Sequence, residues 1–527
     1  MLPFLLATAL TLPLTLAQSQ PDLQTFTNPI IYADYPDNDI FHHPPSNSYY
    51  FSSSSFHYSP GAPILQSWDL INWHVIGHSL PSLAFGPAYD INGNETSYNL
   101  GTWASTLRYR PSNEQWYWIG CTNFWTTWVY TAPEAAGPWE QRASFQPCFY
   151  DCGMLVDDDD SLYVVYGSNN VSVSQLAADG LSIQQTHSVF TFPEECTSVE
   201  GNRMYKINGT YYVLNDCPSD SVTLIWKSES DSPFGPYTYK PLHTGVASPV
   251  PGTGPPVQGS LVEGRPGEWY FMSFAWNYPL GRVPVLAPIA WGEDGFPVLE
   301  TVDGGWGESY PLPLPEHPLP EWNWTGVDYF EGTGLGVLWQ WNHNPDLTRV
   351  GFNEPGLRLY TASVTGDLYL ARNTLTRRLH GEDPYGIVEI EFGGMVDGDV
   401  AGLAAFKDAS AWIGVLREGS EFRIAVRYGL MMGQYGGTTS VGEIVATAPI
   451  AQTKVWFKVS LGAAAVGSHE AVFEYSLDGE TFVGLGEPYK LTTDYLFFMG
   501  YRYGIFNFAT KELGGFVDVV SFVSESS

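Results

Sequence analysis

A short pattern that recurs five times in the first half of the chain is the feature that most restricts its fold. In each copy a bulky apolar residue precedes a Tyr and a run of strand-forming residues, and the central Tyr residues stand 67, 46, 49 and 58 positions apart. The five copies are Tyr49-Tyr50-Phe51, Trp116-Tyr117-Trp118, Leu162-Tyr163-Val164, Tyr211-Tyr212-Val213 and Trp269-Tyr270-Phe271. Repeats of about 40–50 residues that contain several short strands are typical of β-propellers. The pattern therefore predicts a five-bladed β-propeller over residues 25–300.

The second half of the chain has a different pattern. Residues 301–324 contain several closely spaced prolines, which favour an extended linker. Beyond them, apolar Val388, Ile390 and Phe392 alternate with Glu389 and Glu391. Alternation with a period of two predicts antiparallel sheets with one face in water. We therefore expect an all-β chain in which a β-sandwich over residues 325–527 follows the propeller and its linker.

The charge balance restricts the partners of the protein. The chain of 527 residues has 23 Lys and Arg against 56 Asp and Glu, a formal net charge of −33. Such a surface repels the phosphates of nucleic acid and the headgroups of anionic membranes, so we expect neither as a partner. A neutral polysaccharide remains compatible with this charge.

The first residues and the sequons predict a secreted, extracellular protein. Residues 1–17 form an apolar stretch that ends on the small residue Ala17, as in a signal peptide. No later run of about 20 apolar residues follows that would span a membrane. The four acceptor sequences for N-glycosylation begin at Asn94, Asn170, Asn208 and Asn323.

The five cysteines of the chain predict at least one unpaired thiol. In a secreted chain they can form disulfides, but an odd number leaves at least one unpaired, and the spacing does not fix the pairing. They are Cys121, Cys148, Cys152, Cys196 and Cys217.

Three acids stand directly before the core strands of different blades. They are Asp37, Asp151 and Glu200. Residues from the inner strands of a propeller converge on its central channel. A glycosidase needs one carboxylate as base or nucleophile and one carboxylic acid as proton donor. A third acid near the donor raises the pKa of the donor by like-charge repulsion. Among 56 acids, spacing alone does not single out this trio.

Several segments that contain these acids resemble glycoside hydrolase family 43, which includes five-bladed arabinofuranosidases and β-xylosidases. The resemblance implies that Asp37 is the general base, Asp151 the modulator of the donor pKa and Glu200 the proton donor of an inverting enzyme. It further implies that Arg282 contacts the sugar. The similar segments are Asn28-Pro29-Ile30, Tyr35-Pro36-Asp37-Asn38-Asp39-Ile40, Ser59-Pro60-Gly61-Ala62-Pro63-Ile64, Trp103-Ala104-Ser105, Tyr150-Asp151, Val199-Glu200-Gly201 and Leu280-Gly281-Arg282.

The resemblance continues into the second half. Residues 339–346 and 371–376 are similar to the concanavalin-like β-sandwich that follows the propeller in many family members. In the pocket, Trp103 and Phe56 are interpreted as apolar walls that stack on the sugar and exclude water. The fixed guanidinium fork of Arg282 suits sugar hydroxyls.

The sequence departs from the family pattern at two places. Asn38 and Asp39 follow the base where many members have Pro-Ser, which makes Asp39 a rival for that role. In an extended strand, residues 37 and 39 face the same side, so alternation does not separate them. Val257 stands before Gln258 where the family often has His, which removes support for an axial ion site.

No metal or cofactor is predicted. The run Asp157–Asp160 is similar to a calcium loop, but we interpret it as a solvated turn between strands, and no specific motif supports a structural calcium. His42, His43 and His57 lack paired spacing, so we predict solvated loop residues and no metal ligands. We expect a monomer.

Three functions remain open at this point. The leading prediction is a secreted inverting exo-hydrolase that removes α-L-arabinofuranosyl side chains from arabinoxylan. The first alternative is a β-1,4-xylosidase that acts on xylo-oligosaccharides. The remote alternative is a propeller that binds carbohydrate without cleaving it. The sandwich is interpreted either as a xylan-binding module or as a structural support for the propeller.

Overall fold

The computed structural model describes residues 24–352, 356–434 and 436–526. The predicted signal peptide over residues 1–17 lies outside these ranges. The described residues contain strands, turns and short 3-10 helices but no α-helix. The 3-10 helices are Pro87–Asp90, Pro218–Asp220, Leu347–Arg349 and Leu368–Leu370. None of the described helices is long and apolar enough to cross a membrane.

Residues 39–299 form five antiparallel sheets of four strands each, which confirms the five-bladed propeller. The first strands of neighbouring blades pack side by side around the centre. In order from the first blade to the fifth, the strands are Asp39–His43, Ser48–Ser52, Gly61–Ser67 and His74–Leu80; Thr106–Arg110, Gln115–Thr122, Thr126–Ala132 and Glu140–Phe145; Gly153–Val156, Leu162–Tyr166, Asn170–Leu176 and Ile183–Thr191; Glu200–Ile207, Thr210–Cys217, Val222–Ser228 and Tyr237–Thr244; Ser260–Glu263, Trp269–Asn277, Gly281–Trp291 and Pro297–Leu299.

The fourth blade illustrates how local sequence sets the strand register. Asn208 and Gly209 form the two-residue turn between its first two strands, and both have positive φ. An Asn-Gly pair with left-handed backbone matches the twist of a tight hairpin. This hairpin places Glu200 directly across from Asp216 on the neighbouring strand.

The Pro-rich segment after the fifth blade includes a strand. Ser309–Pro311 pairs antiparallel with Thr25–Thr27, so the beginning of the described chain is held against the segment that leaves the propeller. The Asn28 side chain continues this contact, because its amide donates to the carbonyl oxygens of Leu286 and Gly307.

The second domain is a sandwich of two antiparallel sheets, which confirms the predicted fold class. In the described residues from 326 onward, the first sheet contains Gly326–Asp328, Val350–Phe352, Leu357–Tyr360, Pro384–Glu391, Lys454–Leu461, Glu470–Ser476, Val483–Gly484, Tyr489–Lys490 and Phe516–Ser526. The second sheet contains Trp339–Asn342, Leu375–Arg378, Asp399–Phe406, Ala409–Glu418, Glu421–Met432, Thr438–Pro449 and Arg502–Ala509. Strand Pro384–Glu391 buries every second residue, as the alternation predicts.

The propeller adds its own strand to the second sheet of the sandwich. Tyr58–Ser59 pairs with Trp339–Asn342, and we call the contact surface between the two domains the seam. At the seam, Asp34 Oδ2 accepts from the backbone N–H of Gly500 at 3.1 Å. A Cβ at Gly500 would lie 1.7 Å from the carbonyl oxygen of Leu280, so only glycine permits this approach of the two backbones.

His42 is exposed, as predicted, although it lies in a strand, whereas the prediction of solvated loop residues is wrong for His43 and His57. His43 is buried in the first strand of the first blade, and His57 is completely buried at the seam beside His343. Burial lowers the pKa of His57 well below its ordinary value, so the ring is neutral. His57 is buried at the seam because the next residue, Tyr58, pairs with a strand of the sandwich. The spacing of the histidines in the sequence does not indicate this contact.

Four cysteines form two disulfides in the propeller. Cys121 pairs with Cys148 and Cys196 pairs with Cys217. Cys152 is the buried free thiol among the described residues, as the odd count predicts.

Candidate active site

All six side chains that the sequence singles out line one pocket at the centre of the propeller. Its volume is about 270 Å³, near the lower limit of ordinary small-ligand sites. Each of the three acids begins a different blade, so the fold brings residues 37, 151 and 200 together. The six predicted lining residues are Asp37, Phe56, Trp103, Asp151, Glu200 and Arg282.

Asp37 lies in the turn that precedes the first strand of the first blade. Its φ of 57° is left-handed, a conformation that Asp tolerates better than most residues. Its side chain is almost fully buried, and Oδ1 accepts a hydrogen bond of 2.8 Å from Arg282 Nη1. Among the described residues, no other group donates to this carboxylate. One oxygen is therefore positioned by Arg282, while the other is left for a molecule in the pocket.

Asp39 is separated from the pocket, although it stands only two residues away. It is completely buried between two arginines, with Oδ2 2.7 Å from Arg108 Nη1 and Oδ1 3.3 Å from Arg203 Nε. The backbone N–H of Leu107 also donates to Oδ2. Asp39 is thus a structural ion pair between blades. The strand begins only at Asp39, so the expected shared facing of residues 37 and 39 is wrong.

Glu200 begins the first strand of the fourth blade at an irregularity in the ladder. The register shifts between Glu200 and Arg203, and Gly201 has a φ of +67°. Bulges of this kind redirect side chains beside active sites. Glu200 Oε2 accepts from Tyr150 Oη at 3.2 Å. Burial and the charge of Asp37 raise the pKa of Glu200 above its ordinary value.

Asp151 supports this segment from the third blade. It also has a left-handed φ, of 46°, and its Oδ2 accepts from the N–H of Gly201 at 3.1 Å. Burial, followed by the charges of Glu200 and Asp37, raises the pKa of Asp151 well above its ordinary value. Asp151 and Glu200 therefore form a coupled pair in which ionisation of one opposes ionisation of the other.

Arg282 connects the acids with the second domain. It is buried, and besides Asp37 it donates from Nε to the carbonyl oxygen of Phe498 at 3.1 Å. Its guanidinium lies over the rings of Phe274 and Trp276. Within the described ranges, Nη2 is buried and has no acceptor.

Aromatic side chains form the pocket walls. Trp103 packs against Phe124, with ring centroids 4.5 Å apart. Phe56 stacks on Phe498 at 6.0 Å with an interplanar angle of 10°. Phe498 belongs to the sandwich, so the second domain contributes directly to this wall.

Sequence reasoning missed several lining residues. Phe498 lies in an irregular segment with φ 60°, and no periodicity identifies it. Asp216 lies inside a blade strand, and the one sequence feature that could have identified it is its place in the strand of the fourth repeat. Gln258 follows Val257, where the sequence departs from the family pattern, and nothing else in the sequence indicates that Gln258 lines the pocket. The further lining residues include Asn99, Phe124, Tyr150, Asp216, Gln258, Phe274, Trp276 and Phe498.

The run Asp157–Asp160 has its side chains engaged within the propeller. Asp157 is buried against Lys206 and Tyr211, and Asp160 binds Arg110. The interpretation as a wholly solvated turn is therefore wrong for Asp157. In the described part of the chain, no group of three or more His, Cys, Asp or Glu side chains is arranged to hold a metal ion.

Sequence comparison matches both domains to known families. Residues 26–297 match glycosyl hydrolases family 43. Residues 327–524 match the beta xylosidase C-terminal concanavalin A-like domain. The two matches coincide with the propeller and the sandwich.

Individual relatives agree with these matches. A solved GH43 glycoside hydrolase, described as an engineered enzyme with both endo-xylanase and exo-arabinofuranosidase activity, is 40% identical with a TM-score of 0.91, covering 95% of this chain and 100% of that one. A beta-xylosidase of Formosa agariphila is 27% identical over 94% of this chain and 89% of its own. A non-reducing end alpha-L-arabinofuranosidase of Bacteroides ovatus is 28% identical over 73% of this chain and 74% of its own. This chain therefore belongs to glycosyl hydrolases family 43 and is a glycoside hydrolase.

Proposed function

We propose that this glycoside hydrolase is a secreted, inverting exo-enzyme that removes α-L-arabinofuranosyl side chains from arabinoxylan. The observation that carries the proposal is the small pocket in which Asp37, Glu200 and Arg282 meet. A volume of about 270 Å³ suits one sugar ring rather than a stretch of polysaccharide. A terminal or side-chain sugar therefore enters the pocket, and the rest of the polymer stays outside.

The acids divide the reaction between them. Glu200, whose pKa is raised above its ordinary value, is the acid that donates a proton to the oxygen of the leaving group. Asp37, held by Arg282, takes a proton from a water that attacks the anomeric carbon from the opposite face. An inverting pair needs a separation of roughly 6.5–9.5 Å to leave room for this water.

Asp151 acts on the donor in two ways. Its negative charge, when present, opposes ionisation of Glu200 and so keeps the donor protonated. Asp151 also accepts a hydrogen bond from the Gly201 N–H, which fixes the start of the strand that carries Glu200. Tyr150 fixes the donor carboxyl from the side of the pocket wall.

An open groove beside the pocket supports a polymeric leaving group. The groove shares Phe124, Tyr150 and Glu200 with the pocket, so it meets the pocket at the proton donor. The neighbouring side chains of Phe124 and Trp125 are 66% and 65% exposed. Exposed aromatic faces next to a sugar pocket suit stacking against a polysaccharide chain.

The choice of sugar is supported by the relatives. The relative that is 40% identical is described with exo-arabinofuranosidase activity, and the Bacteroides ovatus relative is named an alpha-L-arabinofuranosidase. The Formosa agariphila relative is named a beta-xylosidase, which keeps β-1,4-xylosidase activity on xylo-oligosaccharides as the second candidate.

Secretion is supported by two features besides the predicted signal peptide. Two disulfides suit an oxidising compartment. All four asparagines of the N-glycosylation sequences are exposed. Mass spectrometry of the protein secreted by its host tests both features: the mass change on enzymatic deglycosylation reports the glycans, and the mass change on reduction and alkylation reports the disulfides.

Parallel assays test the substrate and the stereochemistry. The purified enzyme is given p-nitrophenyl α-L-arabinofuranoside, p-nitrophenyl β-D-xyloside and wheat arabinoxylan, and early products are observed by proton NMR. We expect release of arabinose from the polymer and a product of inverted anomeric configuration. Preferential cleavage of the xyloside and of xylo-oligosaccharides would instead assign a β-xylosidase, and retained configuration would make Asp37 a nucleophile.

A further inference from the structure

The pocket contains a fourth acid, Asp216, that the reaction just described does not use. It lies on Thr210–Cys217, directly across the ladder from Glu200, and it is 1% exposed. The same pocket is lined by Gln258, which precedes the first strand of the fifth blade. These two side chains meet at the junction of the fourth and fifth blades.

Gly201 allows the two side chains to converge. A Cβ at this position would lie 2.6 Å from Asp216 Oδ1 and 2.5 Å from Gln258 Cγ. The positive φ of Gly201 also suits glycine. The backbone is thus shaped so that an acid and an amide both face the pocket beside the proton donor.

Both side chains have polar atoms without hydrogen-bond partners. In the part of the chain that the structure describes, both carboxyl oxygens of Asp216 and the Nε2 of Gln258 are buried without a hydrogen-bond partner. Buried polar groups in folded proteins are nearly always paired, so a group left open needs an explanation. By contrast, the buried charge of Asp39 is compensated by two arginines, and its Oδ2 accepts from a backbone N–H, although its Oδ1 has no hydrogen bond among the described residues.

The charges around Asp216 decide its protonation. Burial and the negative charges of Glu200, Asp151 and Asp37 raise the pKa of Asp216 well above its ordinary value, and Arg203 only partly opposes them. A protonated carboxyl offers one O–H donor and retains an acceptor oxygen. It therefore matches a sugar hydroxyl, which also donates and accepts.

We propose that Asp216 and Gln258 form a hydroxyl-binding subsite for the pentose ring held in the pocket. Asp216 acts as a neutral acid that donates to and accepts from ring hydroxyls, and Gln258 Nε2 donates to a hydroxyl of the same sugar. Arg282 Nη2, also buried without an acceptor in the described ranges, remains for another hydroxyl. This subsite rests on the proposed cleavage of a terminal pentose.

The first test compares two substitutions of nearly equal size. Asp216→Asn keeps a donor and an acceptor without an ionisable group, whereas Asp216→Leu keeps neither. We expect Asp216→Asn to stay within about threefold of wild-type kcat/KM, with an unmoved basic limb of the pH profile, and Asp216→Leu to lose about tenfold or more. A downward shift of the basic limb in Asp216→Asn would show an ionised Asp216 that acts on Glu200, and would overturn the neutral role.

Stability separates recognition from folding. Because Leu removes buried unpaired oxygens, Asp216→Leu should keep or raise the melting temperature while it lowers kcat/KM. Ser79→Ala is the matched control, since the Ser79 hydroxyl is likewise buried and unpaired but lies outside the pocket lining. Parallel loss of stability and activity in Asp216→Leu would make Asp216 structural and overturn the subsite.

Deoxy substrates identify the contact. Aryl pentosides that each lack one ring hydroxyl are compared in wild type, Asp216→Leu and Gln258→Leu, with whichever pentose the wild type cleaves. On one of the deoxy sugars the wild type should be less active than on the parent pentoside. The variant that lacks the partner of that hydroxyl should cleave this deoxy sugar and the parent pentoside equally well. An equal additional loss on every deoxy sugar would overturn the proposal.

Failure of the subsite is distinguishable from failure of the proposed function. If the wild type cleaves neither arabinoside nor xyloside, the proposed function fails. Calorimetric titration of L-arabinose and D-xylose into wild type and Asp216→Leu then tests the subsite directly. Weaker binding to the variant would support the subsite, and equal affinity would overturn it.

Discussion

Acidic side chains are used in opposite ways in the pocket and at the seam. At the seam, Asp34 accepts at both oxygens, from the backbone N–H of Arg282 at 2.8 Å and of Gly500 at 3.1 Å. In the pocket, among the described residues, Glu200 accepts from Tyr150 alone and Asp216 from no group. Both regions are buried, so burial does not separate them. In these two regions, the acid with both oxygens occupied holds the two domains together, and the acids with open oxygens line the ligand pocket.

The largest effect expected from this comparison is at Asp37. Asp37→Asn removes the base and should lower kcat by about a thousandfold or more. Because Arg282 then loses its carboxylate partner, the free energy of unfolding is measured by urea denaturation beside the rate. Azide should partly restore turnover in Asp37→Gly, because a small anion can replace the activated water.

The matched control for Asp37 is Asp39. Asp39→Asn should mainly destabilise the fold, by about 3 kcal/mol, because it leaves two buried arginines with a weaker partner. The folded fraction should retain most of its turnover. Near-wild-type turnover in Asp37→Asn, with lost turnover in well-folded Asp39→Asn, would move the base to Asp39.

The next effect concerns the open oxygens of Glu200. Glu200→Ala should lower activity on arabinoxylan by about a thousandfold, because the leaving alcohol of the polymer needs a proton. Aryl glycosides with good leaving groups should lose much less. Rates on dinitrophenyl and unactivated substrates measure the difference. Equal losses on both would remove the donor role from Glu200.

At the seam, a single methyl group should disturb both domains. In Gly500→Ala the new Cβ would meet the Leu280 carbonyl, so we expect a destabilisation of about 1–3 kcal/mol. Phe498 precedes this contact by two residues and lines the pocket, so KM should rise as well. Thermal unfolding and Michaelis kinetics check the two effects. Gly484→Ala is the control, because its Cβ would meet open space. An equal loss of stability in Gly484→Ala would show that the effect does not come from the seam.

The repeats and the alternation made most of the fold predictable. Each blade repeats the same short strands, and strand Pro384–Glu391 buries alternate residues as its sequence indicates. These signals are local, because strand periodicity depends on neighbours in sequence. The pairing of Tyr58–Ser59 with the sandwich was not predictable, since it joins segments about 280 residues apart.

The site was predictable only in part for the same reason. The acids of the base, modulator and donor segments were identified by resemblance, whereas Phe498 reaches the pocket from another domain through an irregular turn. Asp37 and Asp39 looked equivalent because alternation assumes an extended strand. The left-handed φ of Asp37 breaks that assumption and points the two carboxylates to different surroundings.

The smallest expected effect tests how the pocket acids act on one another. Asp151→Asn removes the ionisable partner with which Glu200 is coupled, so repulsion from an ionised Asp151 is lost and the pKa of Glu200 should fall. The enzyme needs protonated Glu200, and activity is lost as pH rises through the pKa of Glu200. The basic limb of kcat/KM should therefore move to lower pH, by about one unit, with some loss of maximal activity. The Asn amide leaves an oxygen for the Gly201 N–H, so the support of the strand is retained. A lower rate with an unmoved limb would limit Asp151 to positioning, and an unchanged profile with full activity would place it with the saturated acids of the seam.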